Sequence, residues 1–406
     1  MPHPRFVPIT SLVIAAALLG ACSSDPDPNA SESSTSSLAT TTTLSVEEAA
    51  TAYQEPGPFP VGITTLELPG GIKVEVWYPA VEGTTGTDAY DVRELVPRTV
   101  KDLLTADVPA IYTIEAGRDA TAADGEFPLV LFSHGFSGLR QQSSFLTSHL
   151  ASWGMIVAAP DHWSRDLNHV LDGVLGGAPV DANDSVDDLR LTRELIESEN
   201  ASSTSILSGH VDTSRVGAVG HSAGGGTVLG LAADEDIAGN VSLASGAGLR
   251  GGRDDVTTTT TTPLQLPKVP SLFVAGANDA VVPWQSATKP AFDAAPPPSR
   301  FWLIDKVGHN GFDDFCTFGG GKGIIGVAEA SGLSGFLDSA PQFRTLGEDG
   351  CLPPNQPVED TFPIVLHVVT AWLREVFAED QSGVGLSDAV AGEYIVDVTV
   401  EERLDE

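Results

Sequence analysis

The sequence predicts an α/β protein with a mostly parallel central sheet, antiparallel N-terminal strands and helices on both faces. Three observations lead there. Short continuous apolar runs such as "FPLVLFSHG" (127–135) end in small and polar residues, as strands buried on both faces do. From residue 127 onward these runs alternate with helix-like stretches, the pattern of parallel strands joined by crossover helices. Ahead of them, "VGITTLELPGGIKVEVWYP" (61–79) holds two β-rich runs around Pro69-Gly70-Gly71, a hairpin signal.

At the N-terminus, Arg5 precedes the apolar run "SLVIAAALLG" (11–20). That run is too short for a stable membrane span and has the form of a secretory signal peptide over 1–21. It ends in "LGAC" (19–22), which resembles a bacterial lipobox. The resemblance implies a thioether-linked lipid on Cys22, which becomes the mature N-terminus, and a cell-envelope lipoprotein tethered to the outer face of a bacterial membrane. A plain signal peptide and an uncleaved anchor are the alternatives. Residues 22–52 are rich in Ser, Thr, Asp and Pro and suit a flexible tether, because such a stretch cannot build a core.

A folded domain is expected over 53–380. Residues 81–126 read as irregular, with a short helix near 93–104. After the strand at 127–135 comes a helix in "QQSSFLTSHLASWG", then a strand in "MIVAAP" (155–160) and a helix over 185–200. Ser185 and Asp188 at the start of that helix resemble a capping box. Further strands are expected at 215–220, 241–245, 271–275 and 300–304, with a helix in "AGGGTVLGLAA". Val365, Val368, Val369, Trp372, Leu373 and Val376 form an amphipathic stripe on a last helix. Two insertions interrupt the pattern, at about 250–268 with its "TTTTTT" and at about 315–360. The tail over 381–406 is acidic, although "EYIVDVTV" (393–400) has the composition of an edge strand.

The chain carries 55 acidic against 21 basic residues, a net charge of −34, which repels phosphate backbones and anionic lipid surfaces. Nucleic acid is therefore not an expected partner, and contact with a membrane is expected through the N-terminal lipid alone. With Cys22 lipidated, Cys316 and Cys351 remain as an even pair in an oxidising compartment. A disulfide between them would add roughly 3–4 kcal/mol on the chain-entropy model; two free buried thiols are the alternative. Neither has a His or a second Cys at ligand spacing, so no metal site is expected.

Gly220-His221-Ser222-Ala223-Gly224 matches G-x-S-x-G between an expected strand and an expected helix. Small flanking residues let a sharp strand-to-helix turn lift a serine hydroxyl out at the carboxyl edge of the sheet. The helix beginning there aims N–H groups at developing negative charge. A serine needs a base, and the base an orienting acid; in α/β-hydrolases these follow in the order Ser, acid, His. Of the nine histidines only His309 and His367 follow Ser222, and His367 lies in a helical pattern. His309, in a loop after the last clear strand, is the expected base. Asp279, just beyond the strand at 271–275, is the expected acid. Asp293, Asp305, Asp313 and Asp314 read as solvated charges. Ala223 and Phe136 are the expected backbone donors to an oxyanion. Trp163 and Trp284, in loops after strands, read equally as acyl-pocket walls or as ordinary packing.

Together "GPFPVGITTLELPGG…VEVWYPA", "PLVLFSHGFSG", "SRVGAVGHSAGGG", "VPSLFVAGANDAVVP" and "KVGHNGF" resemble bacterial α/β-hydrolases of the platelet-activating-factor acetylhydrolase type. Dienelactone-hydrolase-like and cutinase-like esterases are relatives of that group. The resemblance covers about 57–377 and implies the α/β-hydrolase fold and ester hydrolysis through an acyl-enzyme without a cofactor. Carried onto this chain, Ser222 is the nucleophile, His309 the base, Asp279 the acid, and Phe136 and Ala223 the oxyanion donors. Two departures stand out: dienelactone hydrolases proper use Cys where this chain has Ser222, and no carboxylate follows the strand at 241–245, where animal plasma acetylhydrolases place their acid. The expected function is a lipid-anchored serine esterase or lipase acting on lipid-like or small carboxylic esters. A non-catalytic ligand-binding lipoprotein and an acyltransferase are the alternatives. The long loop after His309 reads as a candidate cap over the site.

Overall fold

The run "FPLVLFS" forms β6 (Phe127–Ser133), every residue of which is buried. The structure is a computed structural model that describes residues 44–105, 107–247 and 266–404. The expected signal peptide, Cys22, most of the expected tether and the Thr-rich insertion lie outside the described residues. Around β6 run β1 (Val61–Glu67), β2 (Lys73–Pro79), β3 (Asp88–Asp91), β4 (Ile111–Ile114) and β5 (Gly117–Arg118) on the N-terminal side. After it come β7 (Ile156–Pro160), β8 (Val211–His221), β9 (Gly239–Leu243), β10 (Ser271–Gly276), β11 (Ser299–Ile304) and β12 (Val398–Arg403). Ten of these make one sheet in the order β12-β11-β10-β9-β8-β6-β7-β2-β1-β5, while β3 and β4 pair separately. The strands from β7 through β6, β8, β9 and β10 to β11 are parallel. The β1–β2 hairpin joins them antiparallel at β7, and β12 joins antiparallel at β11. This is the α/β-hydrolase fold.

Helices cover both faces. They are α1 (Val46–Thr51), α2 (Arg98–Lys101), α3 (Ser144–Ser152), α4 (Leu167–Val174), α5 (Ser185–Ala201) and α6 (Ala223–Asp234). There follow α7 (Thr288–Ala294), α8 (Gly323–Ala330), α9 (Ser334–Ser339), α10 (Pro341–Glu348) and α11 (Val358–Val376). Alternation along β6 sorts the core. Val130 and Phe132 pack with Leu146 and Leu150 of α3 and with Val365, Val369 and Trp372 of α11. Leu129 and Leu131 pack on the other face, with Leu189 and Ile196 of α5 and Val228 and Leu231 of α6. A period of two within a strand thus serves both helical layers. None of the described helices is long and apolar enough to cross a membrane.

Three sequence expectations are corrected here. The domain does not stop at 53 and 380, since the compact unit runs from Leu44 to Glu406. Ala49 and Ala50 of α1 are buried, and so are Leu386, Val390 and Val396 of the acidic tail, which brings β12 to the sheet edge. The edge strand starts at Val398 rather than 393, because residues up to Glu393 form a 3-10 turn that buries Val390, and Val396 is buried in the bend that follows. Helix α5 is capped by Asp184, whose carboxylate accepts from the Val186 N–H at 2.9 Å, and not by Ser185. Ser185 is buried and accepts from the guanidinium of Arg165, while Asp188 pairs with His162 at 2.9 Å.

Candidate active site

Strand β8 ends at His221 and α6 starts at Ala223, leaving Ser222 alone at the turn with φ 55° and ψ −122°. A non-glycine residue held there carries about 1–3 kcal/mol of strain, which the surrounding packing must enforce. Two glycines make the turn possible. A Cβ on Gly220 would lie 2.2 Å from the Gly224 carbonyl oxygen, and one on Gly224 would lie 1.9 Å from that of Ser133. These contacts are the physical content of the G-x-S-x-G spacing: the helix start is pressed against the ends of its own strand and of β6. The Ser222 N–H donates to the Leu243 carbonyl at 2.9 Å, which ties the turn to β9.

The neighbouring strand ends bring the other two groups to Ser222. Asp279 follows β10 and His309 follows β11. The Ser222 hydroxyl lies 2.8 Å from His309 Nε2, and His309 Nδ1 lies 2.9 Å from Asp279 Oδ2. Asp279 Oδ1 accepts from the N–H groups of Val281 and Val282 at 2.9 and 2.7 Å, which leaves Oδ2 for the imidazole. That division sets the tautomer, with Nδ1–H donating to the carboxylate and Nε2 free to accept from the serine. The His309 N–H donates to Asp349 at 2.9 Å. Burial disfavours the charged imidazole, but the facing carboxylates of Asp279, Asp313 and Asp349 outweigh it and hold the His309 pKa above its ordinary 6.5.

The loop after β6 runs past the serine. Gly135 N–H donates to Gln142 Oε1 at 2.8 Å, and Ser137 N–H donates to the Arg165 carbonyl at 2.8 Å. The N–H groups of Phe136 and Ala223 donate to no acceptor among the described residues. Phe136 and Ser222 both line a cavity of about 1170 Å³, open solvent at its mouth included. Trp163 and Trp284 do not line it; Trp284 packs on Phe301.

Behind Ser222, His309 and Asp279 lies a set of residues that sequence reasoning missed. Gln142 Nε2 donates to His221 Nδ1 at 2.8 Å and to Asp313 Oδ2 at 2.8 Å. His221 Nε2–H donates to the His309 carbonyl at 3.0 Å. One amide therefore links the loop carrying Phe136 to the loop carrying His309. Asp313 and Asp314 are buried, not solvated as the sequence suggested, because Gln142 and the N–H groups of Phe145 and Phe315 supply donors. Burial raises the Asp313 carboxyl to about 7 and that of Asp314 well above its usual range. Burial also keeps His221 neutral, with its pKa well below 6.5. No period or motif in the sequence marks Gln142.

A second Ser-His-Asp series exists. Ser133 Oγ lies 2.9 Å from His162 Nε2, and His162 Nδ1 lies 2.9 Å from Asp188 Oδ2. All three are buried, none lines the cavity at Ser222, and Ser133 Oγ already accepts from Arg165 at 2.8 Å. Its backbone stays in β6 instead of breaking into an elbow. This series is a satisfied core network. Among the described residues no group of three His, Cys, Asp or Glu side chains is placed to hold a metal ion.

Cys316 and Cys351 form a disulfide that closes the insertion after His309. Helices α8, α9 and α10 lie within that loop and supply one wall of the cavity, as the candidate cap required.

Comparison with known families defines a hydrolase of carboxylic esters. The family model described as PET hydrolase-like matches residues 118–360, more than half of the chain. The chain belongs to that family. A second model, platelet-activating factor acetylhydrolase, isoform II, matches residues 57–171. Among solved structures, a ferulic acid esterase from Streptomyces cinnamoneus is similar over 80% of this chain and 92% of its own, with 18% identity and a TM-score of 0.51. At that identity the likeness bears on the fold. No curated protein matches the chain.

Proposed function

We propose that the protein is a serine carboxylesterase in which Ser222 attacks the ester carbonyl. His309 Nε2 accepts the serine proton as the bond forms, and Asp279 steadies the resulting imidazolium. The N–H groups of Phe136 and Ala223 receive the oxyanion, at the positive end of α6. His309 then protonates the departing alcohol, and the Ser222 acyl ester is left. Water, deprotonated by the same imidazole, releases the acid and restores the serine. The observation that carries this reading is the series Ser222–His309–Asp279, with hydrogen bonds of 2.8 and 2.9 Å, on a strained turn at the wall of a cavity. The substrate is a lipid-like or small carboxylic ester.

The reading extends to location. The signal-like run at 11–20 and "LGAC" support export and lipid attachment at Cys22 on the outer face of a bacterial membrane. Replacement of Cys22 by Ala is expected to move the protein from the membrane to the soluble fraction; retention would count against the anchor. For the chemistry, hydrolysis of p-nitrophenyl butyrate is expected to fall by at least about 10³-fold in Ser222→Ala and in His309→Ala. Turnover by either variant near the parent rate would overturn the assignment.

A further inference from the structure

We infer that the substrate is an uncharged ester with a long aliphatic chain, and that this chain lies in the chamber between the capping helices and the 92–104 segment. The inference rests on the esterase reading of Ser222 and narrows it. Polar side chains in the chamber wall gather around the triad: Ser137, Gln142, His221 and Asn310. Beyond them the wall is aliphatic and aromatic. Val100 and Leu104 stand on one side, Ile324 and Leu337 of the cap on another. Leu167, Leu171 and Leu175 follow at four-residue spacing along α4, so one helical face is given over to the chamber.

Two features select the ligand. Apolar side chains from the 92–104 segment, from α4 and from all three cap helices line the chamber, more apolar wall than an acetyl or butyryl group could cover. Among the described residues no Asp, Glu, Lys or Arg lines it, in a chain with 55 acidic and 21 basic residues. An ammonium or a phosphate inside would lose its hydration with no counter-charge to replace it, whereas a hydrocarbon chain loses only unfavourable contact with water. The apolar surface also continues outward: Leu175, at the end of α4, is 52% exposed while lining the chamber. A chain can therefore enter along α4 and reach Ser222 without meeting a charge.

The test is a series of p-nitrophenyl esters from acetate to hexadecanoate, each below its critical micelle concentration, beside an ω-carboxylate analogue of the dodecanoate. We expect kcat/KM to rise by up to about fourfold for each added methylene until the chamber is filled. The ω-carboxylate should be at least about 100-fold poorer than the neutral ester of equal length. Ala328→Trp, which fills the wall on α8, should lower the ratio of kcat/KM for dodecanoate to that for acetate at least tenfold. A thermal melt and active-site labelling verify that the variant is folded. A maximum at acetate or butyrate, equal turnover of the charged analogue, or an unchanged ratio in Ala328→Trp overturns the inference. If those results come with turnover that Ser222→Ala abolishes, the esterase reading stands without it. If no ester is turned over and Ser222 is not labelled, the esterase reading fails and takes this inference with it.

Discussion

Replacing Asp279 by Asn removes one negative charge and almost no volume. The carboxylate lies 2.9 Å from His309 Nδ1, which places the two charge centres about 4 Å apart once the imidazole is protonated. At the effective dielectric of such sites their attraction is about 4 kcal/mol, which corresponds to about 10³-fold in rate if it is realised only in the transition state. The amide also presents an N–H to Nδ1, which favours the tautomer whose Nε2 cannot accept from Ser222, so the loss should be no smaller. A second readout follows from the pKa. In the parent, facing carboxylates overcome burial and hold His309 above 6.5, so the acid limb of kcat/KM has its midpoint above that value. In Asp279→Asn the opposing effect of burial gains, and the midpoint moves to lower pH while the plateau falls. Profiles of p-nitrophenyl butyrate hydrolysis between about pH 5 and 9 measure both. A plateau within tenfold of the parent, or an acid limb that stays in place, would refute the assignment of Asp279.

Other consequences are smaller but independent. Gln142→Leu leaves the Gly135 N–H and His221 Nδ1 without partners, each worth about 1–3 kcal/mol when buried; kcat should fall about 10- to 100-fold with KM for short esters within threefold. A lowered melting temperature with unchanged kcat would reduce Gln142 to a structural role. Asp313 keeps its proton up to about pH 7 when folded but only to about pH 4 when unfolded, so its contribution to stability declines as pH rises through that window. Melting temperatures of Asp313→Asn should decline less steeply there than those of the parent; parallel slopes would contradict the buried carboxyl. The Cys316→Ser, Cys351→Ser double variant opens a loop with a sequence separation of 35, a loss of about 3–4 kcal/mol and about 5 °C in melting temperature. An unchanged midpoint would mean that packing alone holds the cap.

The sheet was legible because its strands are buried on both sides. Runs such as 127–132 and 272–275 are apolar throughout, and little else places such residues together. The site was legible because its members share one edge: Phe136, Ser222, Asp279 and His309 each follow a strand of the parallel set. What escaped depends on contacts between distant segments. Asp313 and Asp314 look solvated until Gln142 and Phe145, about 170 residues earlier, supply their donors. The Ser133–His162–Asp188 series is as well formed in hydrogen bonds as the one at Ser222; its distance from the cavity, the Arg165 bond to Ser133 and its regular backbone set it apart. The short helices α8 to α10 carry no side-chain N-caps, and Pro341 at the first position of α10 is a weak start signal in a glycine-containing insertion. Asp184 displaced Ser185 as the cap of α5 because Arg165 claims the serine hydroxyl.

Among the described residues two serines stand against a histidine backed by an aspartate, and a fluorophosphonate probe distinguishes them. After labelling and proteolysis, mass spectrometry is expected to find one adduct, on the peptide that contains Ser222, and none on that peptide or on Ser133 in Ser222→Ala. An adduct that persists at full yield in Ser222→Ala, or one carried by Ser133, would contradict the assignment of Ser222 as the nucleophile.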